Sequence, residues 1–162
     1  MTVYLNRRVP LANGRGTALV HVCDYELVMQ YPWHLHPAER TVYAQRTYRT
    51  PDGKDHGQFM HHLVTGQKNV DHKNFDGLDN RRSNLRLAND SESLAHRRKM
   101  KNNTSGYIGV SLNKRNRKWQ ARIWKNGKTA WSAYFDDPVE AAHARDAKAL
   151  EIYGEFAVLN FP

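Results

Sequence analysis

Cysteine is almost missing from this chain. Cys23 stands alone, which excludes an internal disulfide and any zinc site built on two or more thiolates. A solitary thiol of this kind is expected to be a small buried hydrophobe. Long apolar runs are missing as well. No stretch reaches about 18 apolar residues and no apolar segment follows a basic start, so neither a membrane span nor a signal peptide is read. A soluble, cytoplasmic protein with no membrane partner is the expectation. The third absence is local: no Asp or Glu occurs from Ser93 to Phe135.

What is present fits that last gap. The 25 Lys and Arg residues against 16 Asp and Glu leave a formal charge of +9, which favours a polyanion or an anionic membrane surface as partner. The acid-free window holds Arg97, Arg98, Lys99, Lys101, Lys114, Arg115, Arg117, Lys118, Arg122, Lys125 and Lys128. An ordinary solvated face mixes signs, so this window reads as a nucleic-acid contact. A length of 162 residues suits one domain or a few small units, each with little core.

Up to about Thr50 the chain reads as short strands and turns. Val3, Leu5, Val9 and Leu11 lead to the turn Asn13-Gly14-Arg15-Gly16, and a strand resumes over Ala18-Leu19-Val20 and Val22. Asp24 is placed to cap a short helix through Met29 that ends before Pro32. Thr41 to Ala44 and Arg46 to Tyr48 suggest a strand pair, followed by the turn Pro51-Asp52-Gly53 and a strand over Gln58-Phe59-Met60. His34 and His36 alternate on one strand face with no carboxylate or Cys at metal-site spacing, so they read as ordinary histidines.

The stretch Val70 to Arg98, VDHKNFDGLDNRRSNLRLANDSESLAHRR, is the centre of the chain. Asp71 and His72 end a short apolar-led segment and an Asp/Asn/Gly-rich loop follows. Asn84-Leu85-Arg86-Leu87-Ala88 then alternates like a strand, and Asn89 or Asp90 offers an N-cap for a helix to about Met100. With VDH and LDNRRSNLRLA at this spacing, the segment resembles the HNH homing endonucleases of phages and introns. The lead-in DYELV, YPWHL and FMHHLVTG resembles the same family.

The resemblance implies one divalent metal and a histidine base. A neutral imidazole near its ordinary pKa of about 6.5 deprotonates water at neutral pH, so His72 is assigned as general base. Asp71, a hard oxygen donor, is assigned to Mg2+ or Mn2+. Asn84 is where the family uses an amide to tie the loop and orient the base. His61, in the Met60-His61 pair, is expected to brace the motif or touch a phosphate. The family's last ligand, an Asn or His on the helix, falls at Ser93, a departure from the pattern. His96 takes over, Ser93 binds weakly or through water, or the protein cuts poorly or not at all. Other transition ions become suitable if His96 is a ligand.

After a polar linker at 102–106 a second unit begins. Tyr107 to Leu112 is read as a strand, Lys118 to Lys125 as a second, Asn126-Gly127 as a hairpin turn and Thr129 to Phe135 as a third. Asp136 or Asp137 then caps a helix that Gly154 stops. SGYIGVSL, KWQARI, YFDDPVEAA and LNFP make this unit resemble the AP2 DNA-binding domain. Alternation puts Trp119, Ala121 and Ile123 on the helix side, and Gln120, Arg122 and Trp124 outward with Thr129 and Trp131. Those outward residues, with Lys114, Arg115, Arg117 and Lys118 of the turn and Arg97, Arg98 and Lys99 of the linker side, form the expected DNA contact, joined by His61.

The expected fold class is α+β: a strand-rich N-terminal region, a ββα-metal (HNH) motif and a three-stranded antiparallel sheet on one helix. Expected boundaries are 1–101 for the nuclease domain (1–54 supporting strands, 55–101 nuclease motif), 102–106 for the linker and 107–162 for the AP2-like domain. The expected activity is site-specific endonuclease cleavage of double-stranded DNA, by a monomer in a bacterial or phage-infected cell. The alternative is a DNA-binding regulator with an inactive nuclease domain.

Overall fold

A computed structural model describes residues 5–39, 41–96 and 103–162 of the chain. It is a mixed α/β structure of several small antiparallel sheets and, among the described residues, four α-helices. The chain divides into two compact units, Met1–Ala88 and Asn89–Pro162.

In the first unit β1 (Asn6–Pro10) and β2 (Thr17–His21) form a hairpin, and α1 (Val22–Met29) follows without a break. The strand expected to run on through Val22 stops at His21, whose extended backbone is the helix N-cap. Asp24 therefore lies inside the first helical turn rather than capping it. A second sheet orders β3 (His34–Pro37), β4 (Val42–Arg49) and β5 (Asp55–Phe59) side by side. The two segments read as separate strands around Ala44 are one strand, β4. Met60, read as strand, starts the short helix α2 (Met60–Thr65), which ends on a left-handed Gly66. Val9, Leu11, Ala18, Val20, Val28, Trp33, Ala44, Met60, Val64 and Leu85 make one core. That single core draws on both sheets, α1, α2 and the strand beyond the Asp/Asn-rich loop, so it fixes that loop to the N-terminal scaffold.

The pair β6 (Val70–His72) and β7 (Leu85–Leu87) carries the central motif, with Asp71 opposite Arg86 and His72 opposite Leu85. Between them the loop adds to the first hairpin: Leu19 donates to the Leu78 carbonyl at 2.8 Å and accepts from Asn80 N at 2.7 Å. Gly77 is required by a close approach, since a Cβ there would overlap the Val42 carbonyl and the Tyr43 ring.

In the second unit α3 (Asp90–Ala95) opens with a capping box between Asn89 and Glu92. The sheet orders β10 (Lys128–Phe135), β9 (Lys118–Lys125) and β8 (Val110–Asn113), and α4 (Pro138–Tyr153) packs on it. Asp137 caps α4 by accepting from Val139 N and Glu140 N, both at 2.8 Å, with Pro138 in the first turn. Asn126 and Gly127 both take positive φ, 52° and 73°, the backbone that a tight two-residue hairpin demands. Val110, Ala121, Ala141 and Ala142 form the core, with Tyr107, Trp119, Trp131 and Phe135 packed around it. The tail is locked in by Asn160, which accepts from Ile108 N at 2.6 Å and donates to the buried Asp146 at 2.9 Å.

Candidate active site and nucleic-acid interface

His72 ends β6 and is buried, at 5% relative exposure. Its Nε2 lies 3.5 Å from Asn80 Oδ1. Burial pushes its pKa below the ordinary value, against opposing pulls from the Asn80 contact and from Asp71, Asp79 and Asp76. The imidazole is thus neutral at neutral pH.

Asn84 cross-ties the loop that leaves His72. Its Nδ2 donates to Asn74 Oδ1 at 2.9 Å and to the Asp79 carbonyl at 2.8 Å, while its Oδ1 accepts from Asn74 N at 3.1 Å. The Lys73 N–H bonds the Asn84 carbonyl at 2.9 Å, and Phe75 closes a turn on the His72 carbonyl with φ of 63°. An amide suits this position because it donates and accepts at once. Asp79 adds a bidentate pair with Arg81, and that partner, with hydrogen bonds from Arg81 and Asn74, outweighs burial and lowers its pKa.

Asp71 is half-buried and faces Arg86 across the strand pair. Arg86 Nε and Nη2 reach Asp71 Oδ2 at 3.0 and 2.9 Å. Adjacent strand residues point to opposite faces, yet His72 sits where the strand gives way to its turn.

His61, in α2, joins His72 from the side: the rings meet edge to face with centroids 4.9 Å apart. Phe59 stacks on His61 at 5.4 Å, and Tyr43 lies 5.6 Å from His61 and 5.7 Å from His72. Burial, then the neighbouring His72 and His62, lowers the His61 pKa to about 3. Its Nδ1 is buried with no hydrogen-bond partner. The resemblance to the HNH family singled out His61, Asp71, His72 and Asn84. It missed Arg86, Asn80 and Tyr43, which touch Asp71 and His72 only once the pairing register is known.

Ser93 and His96 belong to the second unit. Ser93 is exposed in α3, and His96 is the half-buried C-cap, already outside helical backbone at ψ of 59°. Ser91, not singled out by sequence, is buried and accepts from Asn126 N at 3.2 Å. Arg97, Arg98 and Lys99 lie outside the described residues.

The outer face of the three-stranded sheet is cationic and hydrogen-bonded. Gln120 Nε2 donates to Ser132 Oγ at 2.9 Å, Arg122 Nη2 donates to Gln120 Oε1 at 2.6 Å, and the Arg122 guanidinium lies 5.6 Å from the exposed Trp124 ring. Thr129 pairs with Trp124 and is exposed. Lys114, Arg115 and Arg117 project from a turn in which Asn113 Oδ1 accepts from Arg115 N at 3.0 Å; Lys118 pairs with Asp136 at 3.1 Å. Trp131 corrects the expectation that it faces outward. An irregularity between Thr129 and Trp131 shifts the register by one, so Trp131 lies opposite Ile123 and packs on the core. Ser132 takes the outer place, opposite Arg122.

Cys23 is likewise exposed rather than buried. It belongs to a group with His21 and Asp24 in which one ligand atom from each lies within 4.8 Å of the others. Asp24 is bound by Arg82, through Nε at 3.0 and 2.9 Å and Nη2 at 2.7 Å. Among the described residues no helix is long and apolar enough to cross a membrane.

No family model matches the sequence, and no solved structure matches it. An uncharacterized HNH endonuclease of Acanthamoeba polyphaga mimivirus is 28% identical over 160 residues, covering 93% of this chain and 78% of that protein. An APETALA2-like protein of Oryza sativa subsp. indica is 35% identical over 65 residues. An AP2-like ethylene-responsive transcription factor of Arabidopsis thaliana is also 35% identical over 65 residues. These matches cover 40% of this chain but only 15% and 13% of the plant proteins. The chain is therefore similar along most of its length to a protein named as an endonuclease, and along part of it to plant AP2-like proteins.

Proposed function

We propose that the protein is a divalent-metal-dependent DNA endonuclease of the HNH type, probing duplex DNA with its C-terminal AP2-like sheet. The observation that carries this reading is His72: a neutral, buried imidazole fixed beside Asn80, at the mouth of a loop cross-tied by Asn84, next to a carboxylate. The similarity to a viral protein named as an HNH endonuclease supports it. A homing role, in a phage or mobile intron, belongs to the same proposal.

In the proposed reaction His72 takes a proton from water, which attacks the scissile phosphorus as the P–O3′ bond breaks and the departing O3′ takes a proton from solvent. Its lowered pKa keeps it in the base form at neutral pH. Asn84 holds the loop so that the imidazole does not rotate away, and Asn80 holds the ring. The Asp71 carboxylate is a hard oxygen donor of the kind Mg2+ and Mn2+ prefer, so its chemistry fits such an ion, and the family resemblance implies a helix donor at Ser93 or His96. When bound there, the ion supplies Lewis-acid stabilisation of charge on the phosphoryl oxygens and leaving oxygen. Arg86 shares Asp71 and adds a fixed positive charge beside it. On the recognition side Arg122, presented by Gln120, offers a guanidinium fork of the kind that reads guanine, while Trp124 and Thr129 pack on sugar or thymine methyl. Lys114, Arg115, Arg117 and Arg97 to Lys99 hold phosphates.

One observation favours a second reading, a DNA-binding regulator that does not cut. Asp71 is engaged by Arg86, and the helix carries Ser93 where the resemblance calls for Asn or His. Incubation of supercoiled plasmid with wild type and His72→Ala in Mg2+ or Mn2+ separates the two. Under the nuclease reading wild type nicks the plasmid, and the variant is slower by about 10²–10⁴ while binding DNA equally. DNA binding without nicking by wild type in either metal favours the regulator.

A further inference from the structure

The strand-to-helix junction at the end of β2 gathers three different donors. His21 ends the strand and caps α1, Cys23 and Asp24 follow in the first turn, and their ligand atoms lie within 4.8 Å of one another. The imidazole and the carboxylate are already desolvated, with His21 at 4% and Asp24 at 3% relative exposure, whereas Cys23 is open to solvent. Ser83 Oγ lies 3.4 Å from His21 Nε2, a polar neighbour beside the imidazole. The Cys23 thiol approaches Asp24 Oδ2 at 3.6 Å.

We propose that His21, Cys23 and Asp24 form a transition-metal site, apart from Asp71, that takes a borderline-soft divalent ion such as Zn2+ or Co2+ in competition with Arg82. One thiolate, one imidazole and one carboxylate match the donor preferences of such ions and not those of Mg2+. A tetrahedral ion holds donors of these types about 3.4–3.6 Å apart, so closure needs side-chain shifts on the order of 1 Å. On binding, Cys23 gives its proton to solvent and the thiolate forms the metal–sulfur bond.

Arg82 defines the competition. It grips both oxygens of Asp24, yet its side chain is 52% exposed and can withdraw into water. A metal on Asp24 and the guanidinium on Asp24 exclude each other, because the helix N-terminus already contributes positive charge there. The site therefore favours the ion only when a thiolate is available to offset that charge, which makes Cys23 the deciding donor.

Cobalt titration of the full-length protein, read by absorption, tests this without reference to cleavage. Cys23 is the single cysteine of the chain, so a thiolate-to-cobalt charge-transfer band reports this site and not Asp71. Wild type is expected to show the band with one equivalent of Co2+, and Zn2+ is expected to displace it. Cys23→Ser, at an exposed position, should lose the band and one equivalent of Zn2+ by calorimetry. His21→Gln should weaken binding by at least about tenfold, the size of effect that even supporting groups have. Arg82→Gln should tighten it by about fivefold, the order of a partly exposed ion pair. No band in wild type at saturating Co2+ overturns the proposal. So does a band whose midpoint is the same in Arg82→Gln as in wild type, which would mean the thiol binds cobalt without Asp24.

Discussion

Asp71 and Arg86 sit directly opposite each other in the β6–β7 register, and two nitrogens of the guanidinium converge on one carboxylate oxygen, Oδ2, at 3.0 and 2.9 Å. Arg86 therefore both steadies the carboxylate and repels any cation brought to it. Arg86→Gln should lower the stability of the protein by about 3–5 kcal/mol, the range for breaking a largely buried pair. The same change should lower the Mn2+ concentration giving half-maximal plasmid nicking. Urea unfolding and a metal titration of cleavage check the two halves, and an unchanged metal midpoint would remove Asp71 from the proposed ligand set.

Acid should destabilise the first unit through its histidines. An unfolded imidazole takes up a proton near its ordinary pKa of 6.5, whereas His61 in the fold does so only near 3. Between those values the unfolded chain binds more protons, so stability falls as pH falls through that window. His72, shifted in the same direction, adds to the effect. Thermal unfolding followed from pH 7.5 down to 4.5 should show a declining midpoint in wild type and a shallower decline in His61→Asn.

The sheet face gives a separate expectation. Arg122→Ala should weaken binding to the preferred duplex by about 1–3 kcal/mol while barely changing non-specific binding, as expected for a base contact. Lys114→Ala should weaken both alike and reduce the salt dependence by about one ion. Fluorescence anisotropy at several salt concentrations distinguishes these outcomes.

On the helix, Ser93→Asn restores a carbonyl donor and should raise cleavage at low Mg2+, whereas His96→Ala should cost most in Mn2+ or Co2+ if imidazole is the donor. Initial nicking rates across metals decide it. Should neither substitution alter metal dependence, neither side chain holds the ion.

Much of the second unit was legible. KWQARIWK alternates cleanly between a charged turn and Asn126-Gly127, and β9 runs from Lys118 to Lys125 as read. The facing of Trp131 was not legible, because a one-residue irregularity near Ala130 leaves no signature in composition yet moves every later side chain to the other face. The short α2 was also hidden. It has no side-chain cap and follows a strand without a turn residue, so local signals continued the strand into Met60. Of the candidate site, the resemblance carried by VDH and LDNRRSNLRLA pointed to Asp71, His72 and Asn84. The partners of Asp71 and His72 were not readable, because Arg86 and Asn80 depend on strand register and on the path of a twelve-residue loop, 73–84.

The loop that leaves His72 borrows its backbone partners from Leu19, fifty residues and more upstream, and its Gly77 rests on the Val42 carbonyl and the Tyr43 ring. The opening hairpin is thus structurally part of the His72 region. A recombinant that joined residues 55–101 to a foreign N-terminus would carry the motif intact in sequence and lose the edge that shapes it. Exchange of the His72 motif between proteins of this architecture has to carry the first hairpin and the motif as one inherited block.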